Sequence, residues 1–323
     1  MDRNSTKEFE LCKKKAEQGD VDAQVRLGLM FHDGDVIRQD YAKAFEWLEK
    51  AAEQGHVVTQ VGLGLMYRDG DGVRQDYAKA SRWFKKAAEQ GDAEAQFRLG
   101  FLYIQGKGVR QDDSKAFEWF KKAAEQGNAN AQYVIGLSYK NGDGVGRDDI
   151  KAFEWFQKAA EQGNDDAQYM LGYMFDDGAG VRQNYAKAFE WHQKAADQGH
   201  AEAQYRLGFL YREGNGVRQD YAKALEAFQK AADQDHADAQ YRLGFLYQNG
   251  NGVRQDYAKA FRWFEKAAGQ GNSNAQVKLG FIYYEGEGVR QDKVIAKEWF
   301  GKSCDNGNQD GCHNYRILNE EGY

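Results

Sequence analysis

GVRQDYAKA, residues 72–80, recurs letter for letter at 216–224 and 252–260. Near copies stand at 36–44 (VIRQDYAKA), 108–116 (GVRQDDSKA), 144–152 (GVGRDDIKA), 180–188 (GVRQNYAKA) and 288–296 (GVRQDKVIA). A stretch reused in this way is either a ligand motif or a joint built many times over. The Gln of a neighbouring "AQ" pair serves as a ruler. Gln24, Gln60, Gln96, Gln132, Gln168, Gln204, Gln240 and Gln276 follow at steps of 36 residues without insertion or deletion, and the next step lands on Cys312. A fixed period of this length marks an array in which each repeat packs on its neighbours. The length of 323 residues therefore does not imply two globular domains.

The repeats run 20–55, 56–91, 92–127, 128–163, 164–199, 200–235, 236–271 and 272–307, numbered 1 to 8 below. Residues 1–19 match the second half of a repeat and read as an N-terminal capping helix. Residues 308–323 match the first half and read as a C-terminal capping helix and tail. In repeat 6, Ala203, Leu207 and Tyr211 share one face of a helix A, and Gly208 on that face lets a partner helix come close. REGNG then breaks the period with paired glycines. Asp220 is a suitable N-cap for helix B, which turns Ala224, Phe228 and Ala231 inward. Glycines at 55, 91, 127, 163, 199, 271 and 307 end the B helices. In the quoted stretch Val73 plugs the base of the turn, Asp76 caps helix B, and Tyr77 to Ala80 form its first turn. Turn chemistry accounts for each residue type, so the motif reads as a joint. The row Arg38, Arg74, Arg110, Arg182, Arg218, Arg254 and Arg290 reads as a solvated, locally paired edge.

Composition agrees. The chain has no Pro and 37 Gly, against an average of about 5% Pro, which suits helices joined by Gly-built turns. A net charge of −6 and a pI near 5.7 lack the basic footprint of a nucleic-acid protein. No apolar run approaches a membrane span, and MDRNSTKEFELCKKK lacks the apolar core of a secretory signal. The expected location is cytoplasmic, or periplasmic or secreted if a leader has been removed. Ser5 and Glu8 read as a capping box.

The pattern A-x-A-Q-x-x-L-G-x-x-Y-x-x-G-x-G-V-x-x-D-x-x-K-A-x-x-W-F-x-K-A-A-x-x-G resembles the Sel-1-like repeat family, relatives of the tetratricopeptide repeat, with a bacterial source as the expectation. The longer period and the missing Pro favour it over the tetratricopeptide unit of about 34 residues. The resemblance implies an all-α, right-handed solenoid acting as an adaptor or scaffold for a protein or peptide partner, as a monomer. In tetratricopeptide arrays the A helices line the concave groove. Carried over, the groove positions are Asp166, Tyr169, Tyr173, Asp176 and Asp177 in repeat 5, and Glu202, Tyr205, Phe209, Arg212 and Glu213 in repeat 6. Repeat 7 contributes Asp238, Tyr241, Phe245, Gln248 and Asn249, repeat 3 Phe97, Phe101 and Ile104, and repeat 4 Tyr133 and Lys140. Partner contacts are expected at Tyr169, Tyr173, Tyr205, Phe209, Arg212, Tyr241, Phe245 and Gln248, because aromatic and Arg side chains are enriched at hot spots. Core between neighbouring A helices remains the competing reading, above all for the first aromatic of each pair. Cys304 and Cys312 resemble the bridge of a cysteine-rich branch of the family. Some members of that branch are linked to β-lactam binding or hydrolysis, the alternative function.

Departures from the pattern locate weak points. Ala227 replaces the Trp found at 47, 83, 119, 155, 191, 263 and 299. Losing a buried Trp costs roughly 3–5 kcal/mol if the site cannot collapse, so softness is expected near 225–237, with hydrogen exchange as the measure. Asp235 stands where other repeats have Gly, His192 replaces Phe, and Val36 a turn Gly. The expectation is no enzyme, metal or cofactor. The six His lack ligand spacing, and His56, His200 and His236 fall at a helix-start position. The segment with Asp69, Asp71 and Asp76 lacks the acids of a calcium loop, and neither a nucleophile elbow nor a P-loop is present. Cys12 aligns with Leu48 and Phe84 and reads as a buried thiol.

Overall fold

The computed structural model describes residues 3–34 and 37–323, with side chains from Lys7 onward. Among the described residues there are eighteen helices and no strand. Contacts divide the chain into two compact units, Met1–Gln162 and Gly163–Tyr323. The first holds α1 (Arg3–Glu17), α2 (Val21–Asp33), α3 (Tyr41–Glu53), α4 (Val57–Asp69), α5 (Tyr77–Glu89), α6 (Ala93–Gln105), α7 (Asp113–Glu125), α8 (Ala129–Asn141) and α9 (Asp149–Glu161). The second holds α10 (Asp165–Asp177), α11 (Tyr185–Asp197), α12 (Ala201–Glu213), α13 (Tyr221–Ala232), α14 (Ala237–Asn249), α15 (Tyr257–Gly269), α16 (Ser273–Glu285), α17 (Lys293–Asp305) and α18 (Gln309–Glu320). Within each unit every helix packs on the next in sequence, the arrangement of an all-α solenoid. Even-numbered helices are the A helices and odd-numbered ones the B helices.

Local chemistry sets the helix ends. Asp92 caps α6 by accepting from Ala95 N at 2.7 Å, and Asp76 caps α5 by accepting from Lys79 N at 3.0 Å. His56, His200 and His236 cap α4, α12 and α14 through ring nitrogen. Each A helix from α2 to α16 ends on a left-handed Gly, for example Gly214 at φ 77°. Asp235 adopts the same left-handed conformation at φ 60°, alone among the described non-Gly residues. It follows α13, which is one residue shorter than the B helices of the other seven repeats.

The repeated nonapeptide is a joint between repeats as well as within them. A Cβ on Gly108 would sit 2.0 Å from Tyr77 O, and one on Gly216 2.2 Å from Tyr185 O. In these copies, and at Gly252 against Tyr221, the Gly is pressed against the backbone of the Tyr one copy earlier, while Gly144 meets Asp113 O at 2.4 Å in the same way, and no side chain fits there. Gln75 returns to donate to Arg68 O at 2.7 Å, satisfying a carbonyl at the end of helix A. Val73 is half-buried against the core. The Arg row is exposed as expected, but ion pairs join other side chains, so its local pairing does not form among the described residues.

Inside, Ala224, Phe228 and Ala231 are buried, as are their equivalents except the half-buried Leu48 of repeat 1. In repeats 2 to 8 a glycine of the A helix serves a ring of the B helix in the same repeat, while Gly28 of repeat 1 meets Leu48: a Cβ on Gly208 would lie 2.5 Å from Phe228 Cε1. Burying such a Phe contributes roughly 1.5–3 kcal/mol. The ruler Gln is a clamp. Gln204 donates to Ala196 O of the preceding repeat at 3.2 Å and accepts from Gln234 at 2.9 Å, and the same pair of bonds surrounds Gln60, Gln96, Gln132, Gln240 and Gln276.

Two expectations need correction. Of the seven Trp only Trp83 is buried, at 9% exposure, and the others are half-exposed. Each instead carries the Lys three residues on over its face, as Lys194 does over Trp191 at 3.8 Å. The Trp is a lid over the packing between repeats, so its loss opens a cleft and the full core penalty does not apply. The expected capping box rests on Ser5, whose side chain lies outside the described residues, as does Val36. α1 already begins at Arg3, and Glu8 pairs with Arg26.

At the far end Cys304 and Cys312 are joined by a disulfide, with Cα atoms 4.4 Å apart, tying α17 to α18. Cys12 is buried with its Sγ 3.4 Å from Ala23 O, and burial pushes its thiol above the ordinary range.

Candidate interaction surface on the A helices

In the second compact unit the A-helix aromatics form a repeating network. Tyr205 meets Phe209 edge-on at 4.9 Å and lies tilted on Phe228 at 5.8 Å. Its other side stacks on His236 of the next repeat at 4.6 Å. Tyr169 stacks on His200 at 4.9 Å, and Tyr241 meets Phe245 edge-on at 4.9 Å. These rings are half-buried, so each contributes to the packing between repeats and still presents an edge to solvent. Burial pushes the phenols of Tyr169, Tyr205 and Tyr241 above their ordinary range, while for Tyr173 a hydrogen bond with Asp177 is the larger cause.

Charge is fixed among the rings. Arg242 lies 4.9 Å from the Phe209 ring, Arg212 4.6 Å from the same ring, and Arg206 5.8 Å from Tyr173. Lys278 lies 5.0 Å from Phe245. Acids alternate with these cations. His236 Nδ1 accepts from Ala239 N at 3.2 Å, so the ring proton sits on Nε2, which donates to Glu202 at 2.8 Å. That hydrogen bond holds the Glu202 carboxyl below the usual range. His200 stands likewise 3.3 Å from Asp166, and Asn272 donates to Asp238 at 2.7 Å.

The predicted contact residues mostly gather on this face. Tyr169, Tyr173, Tyr205, Phe209, Arg212, Tyr241 and Phe245 are half-exposed on α10, α12 and α14. Gln248 is different. It is only 8% exposed and donates to Glu287 at 3.0 Å, which leaves it little surface for a partner. In repeat 3, Phe97 and Phe101 pack on Phe120, with Phe101 and Ile104 still exposed. In repeat 4, Tyr133 packs on Phe156. Sequence reasoning passed over Arg206, Arg242, His200 and His236 as surface members. The available signal was the recurring "YR" pair and a His in a cap position.

One position in the network is anomalous. His192, fully buried where six other repeats have Phe and repeat 1 has Leu48, lies 3.0 Å from Asp176 Oδ2, and its Nδ1 has no partner. No group of three or more metal-type ligands exists among the described residues. No described helix is long and apolar enough to cross a membrane.

The Sel1 repeat model matches residues 21–56, 58–92, 93–128, 129–164, 165–200, 201–236, 237–272 and 273–308. Among solved structures the chain is similar to c5321, described as a protective antigen of uropathogenic Escherichia coli with an SLR fold. The two share 40% identity at a TM-score of 0.88, over 97% of this chain and 68% of that one. A Sel1 repeat protein from Oxalobacter formigenes is 35% identical at a TM-score of 0.76, over 96% of this chain and 89% of that one. No curated protein matches the chain. Eight matched repeats, each formed of consecutive helices, place this chain in the Sel1 repeat family.

Proposed function

We propose that this chain is a non-enzymatic scaffold that holds a protein or peptide partner on the exposed side of α10, α12 and α14. The observation that carries this reading is the half-exposed aromatic and cationic network of repeats 5 to 7. Its rings are held in place by edge-on and stacked contacts before any partner arrives, so little side-chain entropy remains to be lost on binding. Tyr and Arg are the residue types from which hot spots are built. Alternation of Arg with Glu202 and Asp238 suits an extended peptide that carries both apolar and charged side chains.

Peptide display against the immobilised full chain tests this. The intact protein is expected to enrich a peptide consensus that the Arg212→Glu, Arg242→Glu variant loses while keeping its helical circular dichroism. Equal enrichment on both proteins would place the site elsewhere. A Tyr205→Ala, Tyr241→Ala variant, checked in the same way, separates the contribution of the rings from that of the charges.

A further inference from the structure

Seven repeats carry a Trp in helix B, and repeat 6 has Ala227 in its place. In repeats 3, 4, 7 and 8 the indole packs on a cluster that includes the Ala pair ending the preceding B helix and the Leu or Ile of its own A helix, as Trp263 and Trp155 do. The Lys three residues later covers the ring at 3.8–4.4 Å in all seven. In repeat 6 neither half of this arrangement survives. Lys230, deprived of a ring, turns to Glu226 at 2.8 Å.

The space has not collapsed. A cleft of about 210 Å³ opens between α11, α12 and α13, with Ala196 and Leu207 at its floor, Gln204 and Tyr211 at its wall, and Glu226 and Lys230 at its rim. Its floor is exposed in a way its counterparts are not. Ala196 is 9% exposed, while Ala16, Ala52, Ala88, Ala124, Ala232 and Ala268 are at most 3%. Leu207 is 4% exposed, against at most 1% for Leu27, Leu63, Leu99, Ile135, Leu243 and Leu279. One missing indole thus uncovers two otherwise sealed core positions. Apolar cavities of roughly 150 Å³ take up benzene from water, so the volume is sufficient for an aromatic ring.

We propose that the Ala227 cleft binds an indole side chain supplied in trans, a Trp on a partner protein that occupies the place filled in the other repeats by the chain's own Trp. The chain itself names the occupant, because the equivalent position is a Trp in the seven other repeats and an indole fills the matching niche at Trp119, Trp155, Trp263 and Trp299. Lys230 leaves exposed Glu226 and covers the incoming ring, and Trp is the best face for such a cation. The cleft is lined mainly by the B helices α11 and α13, so it is separate from the A-helix surface and the two can be occupied together.

Ligand-observed fluorine NMR of the full chain with 5-fluoroindole as probe tests the assignment. Saturable binding with a Kd on the order of 1 mM is expected for a single ring of this size. Ala227→Trp should weaken it at least about tenfold, because the chain then fills its own cleft, and should raise the thermal midpoint. Ala227→Phe serves as a second filled variant if the first folds poorly. Absence of saturable binding to the intact protein overturns the proposal, and so does unchanged affinity in a folded, filled variant.

Discussion

α4 contains two glycines two residues apart that should answer the same mutation with opposite signs. A Cβ on Gly62 meets nothing within 4 Å, whereas one on Gly64 would lie 2.5 Å from Phe84 Cε1 and 2.6 Å from Cδ1. Gly→Ala inside a helix gains about 0.8–1 kcal/mol from backbone entropy at either position. Phe84 is fully buried, so its ring cannot move aside without disturbing the core. Overpacking of this kind costs about 1–3 kcal/mol. Gly62→Ala is therefore expected to stabilise by about 1 kcal/mol, and Gly64→Ala to destabilise by up to about 2 kcal/mol. Repeat arrays need not unfold in one step, so native-state hydrogen exchange of the α4 and α5 amides is the suitable assay. It reports the opening free energy of that repeat alone. If both variants stabilise α4 equally, the ring yields at no cost and the Gly–Phe lock is not what spaces the helices.

Asp235→Gly should stabilise repeat 6 by about 0.5–1 kcal/mol, since it relieves a left-handed non-Gly residue, and slower exchange over 230–240 is the readout. Reducing the Cys304–Cys312 bridge, which closes a separation of 8 residues, should lower the stability of α18 by about 2–3 kcal/mol. Faster exchange over 309–320 with α16 unchanged would show it. The depressed Glu202 carboxyl stabilises the fold fully above the ordinary carboxylate range, and that contribution is lost as pH falls through its lowered value. The stability advantage of the intact chain over Glu202→Gln should therefore be complete above about pH 5 and shrink below it, in urea titrations at stepped pH.

Much of this architecture is legible without coordinates because it is local. The cap Asp76, the left-handed Gly214 and the inward Phe228 each act within a few residues of themselves, so their spacing in the chain is their meaning. The interaction surface is less legible. The type of Tyr205 marks a candidate, but its stacking on His236 joins residues of different repeats, and pattern reading saw His236 only as a helix start. Gln248 illustrates the opposite error, since a polar residue at a groove position is buried by Glu287 of the following repeat.

What the sequence determined by itself is therefore the period, the two helices of each repeat, their ends, and the inward Ala and Phe positions of the B helices. Each follows from hydrogen bonds and apolar faces separated by a turn or less. Tertiary structure alone decided that the ruler Gln is a clamp, that the Trp is a half-exposed lid held by Lys, and that Ala227 leaves an open cleft. Those outcomes depend on which side chains of successive repeats meet, roughly one period apart, and on whether the space between them closes. A linear pattern shows that a large side chain is missing, and only packing shows whether its place has been filled.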